Sequence, residues 1–359
     1  MQYFNYLTES EKDSIFYVQP TKFIKNDSVE ILSNGIGAAL YMPATKESIF
    51  YDIANNKYPS LITAILCLED AIGDDEIVKA EEQLIQHINH LYRHIKEEKV
   101  NTDDIPMLFV RVRNCNQFIR ICNVLKEKLE ILTGFVFPKL TTQNGNDYFQ
   151  SLRKINHMYH LNLYAMPILE SCDIMYKETR FETLLSISTL FNQYRDLIIN
   201  VRIGATDFSS LYGIRRSPDM TIYDIGVIKD CIIDILNMFS RAENSFIVSG
   251  PVWEYITHID KLQKEVLYDK ANGIVGKTII HPDHIIPVQA MYVVNKEEYN
   301  DALSILNNNN GKVGVIKSEY NNKMNEIKPH ANWAKKILIQ AKIYGVYNEN
   351  ESYRSLLRI

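Results

Sequence analysis

The sequence predicts an α/β protein folded as a (β/α)8 TIM barrel. Eight short apolar runs recur between residues 37 and 282, and a longer segment of mixed polar and apolar residues follows each. The runs are apolar almost throughout instead of alternating, the pattern of parallel strands buried on both faces. Strand and helix alternate without interruption, which fits a closed barrel better than an open sheet. A chain of 359 residues is long enough for such a barrel with additions.

Residues 1–30 are mixed and polar, and read as a leader outside the core. The strand runs follow as GAALYMPAT (37–45), TAILCLEDA (63–71), MLFVRVRN (107–114) and GFVFPKL (134–140). The second four are LYAMPILES (163–171), LIINVRIGATD (197–207), SFIVSGPV (245–252) and GKTIIHP (276–282). Between the second and third runs, Ile77, Leu84, Ile88, Leu91 and Ile95 recur at helical spacing. FETLLSISTLFNQY and GVIKDCIIDILNMFSRA behave in the same way. From about Met291 the character changes. NKEEYNDALSIL reads as a helix, NNNNGK as a turn, and the remainder as a loop and a helix carrying Trp333. The expected division is a leader (1–30), a barrel (31–290) and an appended helical extension or lid (291–359).

The net charge of -5 excludes a general affinity for nucleic acid. No apolar run approaches the roughly 18 residues of a membrane span, and the N-terminus lacks the basic-then-apolar pattern of a signal peptide. The five cysteines form no CxxC pair, which points to a reducing compartment. A cytoplasmic protein without membrane or nucleic-acid partners is the expectation.

Chemistry in a barrel gathers at the C-terminal ends of the strands. Here those ends are charged: Glu69 and Asp70, Arg111 and Arg113, Lys139, Glu170, Asp207, and Lys277 with His281. The stretch ILCLEDAIGDDE (65–76) is the sharpest case. Asp74, Asp75 and Glu76 suit the first turn of a helix, whose exposed amides favour negative charge. Glu69 and Asp70 end a buried strand, and a carboxylate withdrawn from water needs a partner. Glu170 and Asp207 come from consecutive strands and together suit a hard divalent cation such as Mg2+, which takes few protein carboxylates and keeps waters. Arg111 suits a bidentate hold on a substrate carboxylate, or a salt bridge to Glu69 or Asp70.

These segments, taken in order, resemble the citrate lyase β-subunit and HpcH/HpaI aldolase superfamily, which includes malyl-CoA and citramalyl-CoA lyases. LCLEDAI is similar to its L-D-L-E-D-A-V, with Cys67 in place of the first acid. VRVR is similar to V-R-V-N, which matches Arg111 to the family arginine and puts Arg113 in place of Asn. LYMPATKES, FVFPKL, PILES, RIGATDFSSLYG and GIVGKTIIHPDHIIPV resemble its remaining segments, over about residues 37–290. The later segments, such as SPDMTIYDIG and GPVWEYI, resemble a divergent bacterial branch of carbon–carbon bond lyases of TIM-barrel fold, found with tellurite-resistance and stress genes.

The resemblance implies Mg2+-dependent cleavage or formation of a carbon–carbon bond in a 2-oxo or 3-hydroxy acid or its CoA thioester, by way of an enolate. It implies Glu170 and Asp207 as metal ligands and Arg111, Glu69 and Asp70 in catalysis. It places Pro43, Lys46, Arg113, Lys139, Lys277 and His281 at the substrate or CoA. NKMNE is similar to a C-terminal lid segment, which makes Glu326 an acid or base acting from the same or a neighbouring chain. A homo-trimer or homo-hexamer is also implied.

Plainer roles stand beside these. Glu69 and Asp70 suit orienting Arg111 or a metal water, Lys139 suits solvation, and His281 suits hydrogen bonding within the barrel. Arg202 faces either the pocket or the outside, and Gly204 and Gly213 suit tight turns. The alternatives to a CoA-dependent lyase are the same chemistry on a non-CoA substrate, a phosphorylated one included, and a non-catalytic ligand- or partner-binding barrel in a stress system.

Overall fold

A computed structural model describes residues 1–243 and 245–357. All eight apolar runs form strands: β1 (Ala38–Pro43), β2 (Thr63–Cys67), β3 (Met107–Arg111) and β4 (Gly134–Phe137), then β5 (Tyr164–Leu169), β6 (Val201–Ile203), β7 (Val248–Ser249) and β8 (Lys277–Ile279). Each pairs in parallel with the next, and β8 pairs with β1 through Ala38↔Lys277 and Ala39↔Thr278. A parallel bridge between Gly250 and Lys277 joins β7 to β8 and closes the barrel.

The helices pack their apolar stripes on this sheet. Helix Ile77–Lys96 buries Ala80, Leu84, Ile88 and Leu91, and a short 3-10 turn, Asp74–Glu76, leads into it. The other two expected segments form helices Lys177–Gln193 and Gly226–Phe239. Among the described residues no helix is long and apolar enough to cross a membrane.

The first thirty residues send anchors into the core, contrary to the reading of a leader outside it. Tyr3, Phe4, Phe16 and Phe23 are buried. The Tyr3 hydroxyl donates to the Gly35 carbonyl at 2.8 Å, and its ring lies 4.4 Å from that of Tyr344. A short strand, Phe16–Val18, pairs antiparallel with Val346–Tyr347, so the two ends of the chain are stitched together. The aromatic anchors are sparse among charges, which hides them from a window average.

The C-terminal segment has a small core of its own. Helices Lys296–Asn307 and Ile327–Tyr344 pack around Ala302, Ile305, Ala334, Ile337 and Ala341. Where a loop was expected, Val315–Lys317 and Met324–Glu326 form an antiparallel hairpin. Helix Ile327–Tyr344 packs on helix Val29–Asn34 and shares a hollow with Ile198, Ile199 and Ile247, residues that precede strands. This unit therefore sits at the N-terminal end of the barrel, opposite the strand ends that carry the charge.

Candidate active site

The C-terminal ends of the strands open into a cleft of about 480 Å3, lined among others by Tyr41, Cys67, Arg111, Glu170, Arg202 and Asp207. Its polar centre is built on Arg111, the last residue of β3. Arg111 Nη2 lies 2.6 Å from Glu69 and 2.8 Å from Asp70, with Glu170 at 3.7 Å. Glu69 is itself buried, and its second oxygen meets Lys139 Nζ at 2.6 Å. Lys139 also lies 3.5 Å from Asp70 and 4.0 Å from Asp207. Residues at or just beyond the ends of five successive strands, β2 to β6, thus converge on one ionic cluster.

Backbone geometry makes this possible. Lys139 has a positive φ of 47°, and this turn aims its amide at Glu170 Oε1, 2.7 Å away. Glu170 is seated against Gly204, where an added Cβ would lie 2.2 Å from Glu170 Oε2. Gly204 was expected as a turn residue, but its φ of -92° is ordinary. Glycine is needed there for space. Gly213, with φ of 61°, does fit the turn reading.

The electrostatics follow from burial and from these partners. Burial pushes the Glu170 carboxyl up to about 7; Arg111 and the Lys139 amide oppose this, and Asp207 and Glu69 add to it. Burial also works against the charge on Arg111, but Tyr41, Cys67, Glu69 and Glu170 outweigh it and hold the guanidinium above its usual range. Lys139 is raised in the same sense, its burial being outweighed by Glu69, Asp70 and Asp207. For Asp70, burial is outweighed by Glu69, Arg111 and Lys139, which hold it below the usual carboxylate range.

Strand parity decides which of the expected residues enter the cleft. Thr278 and Ile280 line it, so Lys277 and Ile279 face the helices. Lys277 is fully buried there, 2.9 Å from Glu265 and 2.8 Å from Asp269. Arg216 also pairs with Glu265, and the Tyr223 hydroxyl donates to Asp269. The expectation that Lys277 meets substrate is corrected: it belongs to a buried network between barrel and helices. Arg113 shares the parity of Arg111 but lies beyond the end of β3, and its partners hold it away: it pairs with Asp74 at 2.6 Å and donates to the Ile72 carbonyl. Lys46 is held 2.7 Å from Asp52 and bonds the Tyr58 hydroxyl. Pro43 is exposed at the end of β1, and His281 Nδ1 accepts from the Asp283 amide to cap a short turn. Glu326 is exposed on the hairpin, in the unit at the far end of the barrel, so it does not reach the cleft of its own chain.

Sequence reasoning passed over Tyr41 and Thr278 and left Arg202 open. Arg202 is the informative one: it enters the cleft from β6 and is buried. A charged residue inside the apolar run LIINVRIG was the available signal.

Glu170, just after β5, and Asp207, in the short helix Ala205–Ser210 that follows β6, supply two hard oxygen donors beside an open cleft, a donor set that suits Mg2+ with waters completing its shell. Among the described residues no group of three or more His, Cys, Asp or Glu is arranged to hold a metal unaided.

A closed parallel barrel with an ionic cluster at its C-terminal mouth defines an α/β-barrel enzyme. The chain belongs to the family described as C-C bond lyase of the TIM-barrel fold, whose model matches residues 30–346, and it is a lyase of that family. No curated protein matches the chain. Among solved structures it is similar to a citrate lyase from Burkholderia xenovorans at 12% identity and a TM-score of 0.66, covering 85% of this chain and 91% of that one. CitE from Mycobacterium tuberculosis, in complex with magnesium, acetoacetate and coenzyme A, matches at 17% identity and a TM-score of 0.57, covering 85% of this chain and 97% of that one. Malate synthase from Haloferax volcanii, as a lead(II) complex, matches at 11% identity and a TM-score of 0.54, covering 70% and 71%. At these identities the likeness is one of fold.

Proposed function

We propose that the cleft makes or breaks a carbon–carbon bond in a 2-oxo or 3-hydroxy carboxylic acid, with Mg2+ held by Glu170 and Asp207. The observation that carries this reading is the meeting of Glu69, Asp70, Arg111, Lys139, Glu170 and Asp207 at the mouth. When bound, Mg2+ supplies a Lewis acid for the oxygen on which enolate charge develops.

The chain's own groups do the rest. Arg111 is charged and fixed by Glu69 and Asp70, so its remaining donors present positive charge to a substrate oxygen without reorganising. Among the described residues the carboxylates meet Arg111 at Nη2, which leaves its Nη1 donors for such an oxygen. Lys139 keeps Glu69, Asp70 and Asp207 close together in the absence of a metal. Glu69 and Asp70 act on the substrate through these two cations, as positioning residues.

A free acid is favoured over a CoA thioester as the substrate. Lys46, Arg113, Lys139 and Lys277, the lysines and arginine expected to meet substrate or CoA, all pair with carboxylates of this chain. Glu326 meets a cleft only if a neighbouring chain presents it, so its role requires a homo-oligomer.

The test is a panel of 2-oxo acids, 3-hydroxy acids and CoA thioesters incubated with and without Mg2+, with products followed by NMR. Mg2+-dependent fragments that disappear in Arg111→Met and Glu170→Gln are expected. Mg2+ binding unchanged in both Glu170→Gln and Asp207→Asn would sink the metal assignment.

A further inference from the structure

Four arginines are buried among the described residues: Arg111, Arg180, Arg202 and Arg216. Three of them are answered by carboxylates. Arg111 meets Glu69 and Asp70, Arg180 meets Asp230 and Asp234, and Arg216 meets Glu254 and Glu265. Arg202 is 2% exposed and has no carboxylate partner among the described residues. Its guanidinium is held by neutral groups. Nη2 donates to Thr278 Oγ1 at 2.6 Å, and Nη1 to Asn200 Oδ1 at 3.4 Å and to Met166 Sδ at 3.8 Å. Its Nε is buried with no partner. The Tyr41 ring lies 5.7 Å from its Cζ, and Arg111 lies 5.9 Å from the same ring.

An arginine does not escape burial by losing its proton, so its charge must be answered. Burial and the nearby Arg111 both work against the charge, and Tyr41 only partly offsets them. The group is part of the cleft wall, so the missing counter-ion has a route in. Its depth can be read from the register. Arg202 pairs with Ile168, two residues before Glu170, and both Ile168 and Glu170 line the cleft. The Arg202 level therefore lies about 6–7 Å beneath the Glu170 level, two strand rises down the barrel.

We propose that Arg202 is the specificity residue for a second anionic group of the substrate. The chelating 2-oxo or 3-hydroxy acid end sits at the mouth by Glu170, Asp207 and Arg111. A carboxylate or phosphate at the other end of a short carbon skeleton reaches down to Arg202, Thr278 and the Tyr41 hydroxyl. The substrate class is thus a compact dianion. This deepens the reading under "Proposed function" and rests on it for the orientation of the substrate, while the anion site itself rests on Arg202 alone.

The experiment measures binding by calorimetry in two conditions, with Mg2+ and with EDTA. The probes are pyruvate and glycolate as monoanions, and oxaloacetate and 2-phosphoglycolate as their counterparts with a second anionic group. The intact protein is expected to bind the doubly charged probes at least about tenfold more tightly than the monoanions in either condition. Arg202→Met collapses that ratio to near one and leaves monoanion affinity in place; Arg202→Lys restores part of it. If Arg202→Met fails to fold, Thr278→Val serves as the second variant and lowers the ratio without removing the charge. A larger gain for oxaloacetate assigns a carboxylate, and a larger gain for 2-phosphoglycolate assigns a phosphate.

Equal affinity for the two classes in the intact protein, or a ratio that survives Arg202→Met, overturns the proposal. Glu170→Gln separates the two claims. It is expected to abolish the effect of Mg2+ while keeping the ratio in EDTA, so loss of the metal reading and loss of the anion site give different results.

Discussion

Replacing Gly204 by alanine tests the seating of Glu170 without touching a charged group. The new Cβ would lie 2.2 Å from Glu170 Oε2 and 2.4 Å from Glu170 Cβ. Ordinary contact between carbon atoms is about 3.5–4.0 Å, so the overlap exceeds 1 Å, and the Cβ of Glu170 cannot swing away as a side-chain tip would. Either β5 or the Gly204 turn must shift. Overpacking of this kind costs about 1–3 kcal/mol. The φ of -92° adds no strain for alanine, and the lost chain entropy of glycine returns about 0.4–1 kcal/mol. A net loss of about 1–2 kcal/mol in urea denaturation is expected. The effect on chemistry is larger, because a displacement near 1 Å at a reacting centre costs about 10²-fold in rate. A double-mutant cycle isolates the cause. In a Glu170→Gly background the overlapping atoms are gone, and Gly204→Ala should cost nothing measurable. A Gly204→Ala protein with unchanged stability and unchanged Mg2+ affinity would refute the seating argument.

Three further outcomes follow from the same geometry. Because the folded Glu170 carboxyl is raised from 4.5 to about 7, the unfolded chain ionises first as pH rises. Stability of the metal-free protein should therefore fall between those values, by a few kcal/mol in order of magnitude, and level off above; Glu170→Gln should flatten that slope in denaturation at several pH values. Lys277→Met leaves Glu265 and Asp269 without their ammonium, so about 3–5 kcal/mol of stability should be lost while the folded protein still binds oxaloacetate normally; weakened binding with full stability would return Lys277 to the cleft. Glu326→Gln should lose turnover and keep Mg2+ binding, and mixed oligomers with Arg111→Met should regain part of the activity, since one intact site can be assembled from two chains; full activity in Glu326→Gln alone would remove that residue from the chemistry.

The eight strands were legible because each is a short apolar run closed by polar residues, and a buried parallel strand needs nothing subtler. The charged mouth was legible for a related reason: Glu69, Asp70, Arg111, Glu170 and Asp207 all stand where an apolar run stops. Direction was the part that stayed hidden. A strand buried on both faces has no alternation of polar and apolar residues, so sequence alone does not say which side chains face the barrel axis. Lys277 and Thr278 are neighbours in one run, yet one pairs with helix carboxylates and the other holds Arg202. The N-terminal aromatics were hidden differently, since their partners, such as Tyr344 for Tyr3, lie at the other end of the chain.

The same ambiguity explains why the charge of Arg202 carries more information than the charges that were easier to see. An acid or base at a strand end has water within reach, and several of these here satisfy one another: Lys46 with Asp52, Arg113 with Asp74, Lys139 with Glu69. Their presence identifies a mouth but selects no ligand. A guanidinium in the middle of β6 has no such exit. Folding must either supply its counter-ion, as it does for Arg180 and Arg216, or leave the charge for something that arrives later. At Arg202 the fold supplies a hydroxyl, an amide oxygen, a thioether and a ring, all neutral. On the proposal made above, the charge that the fold leaves unanswered is answered by the second anionic group of the substrate. On that proposal, selectivity for the substrate resides in a residue whose unfavourable environment, more than its visible contacts, states what it binds.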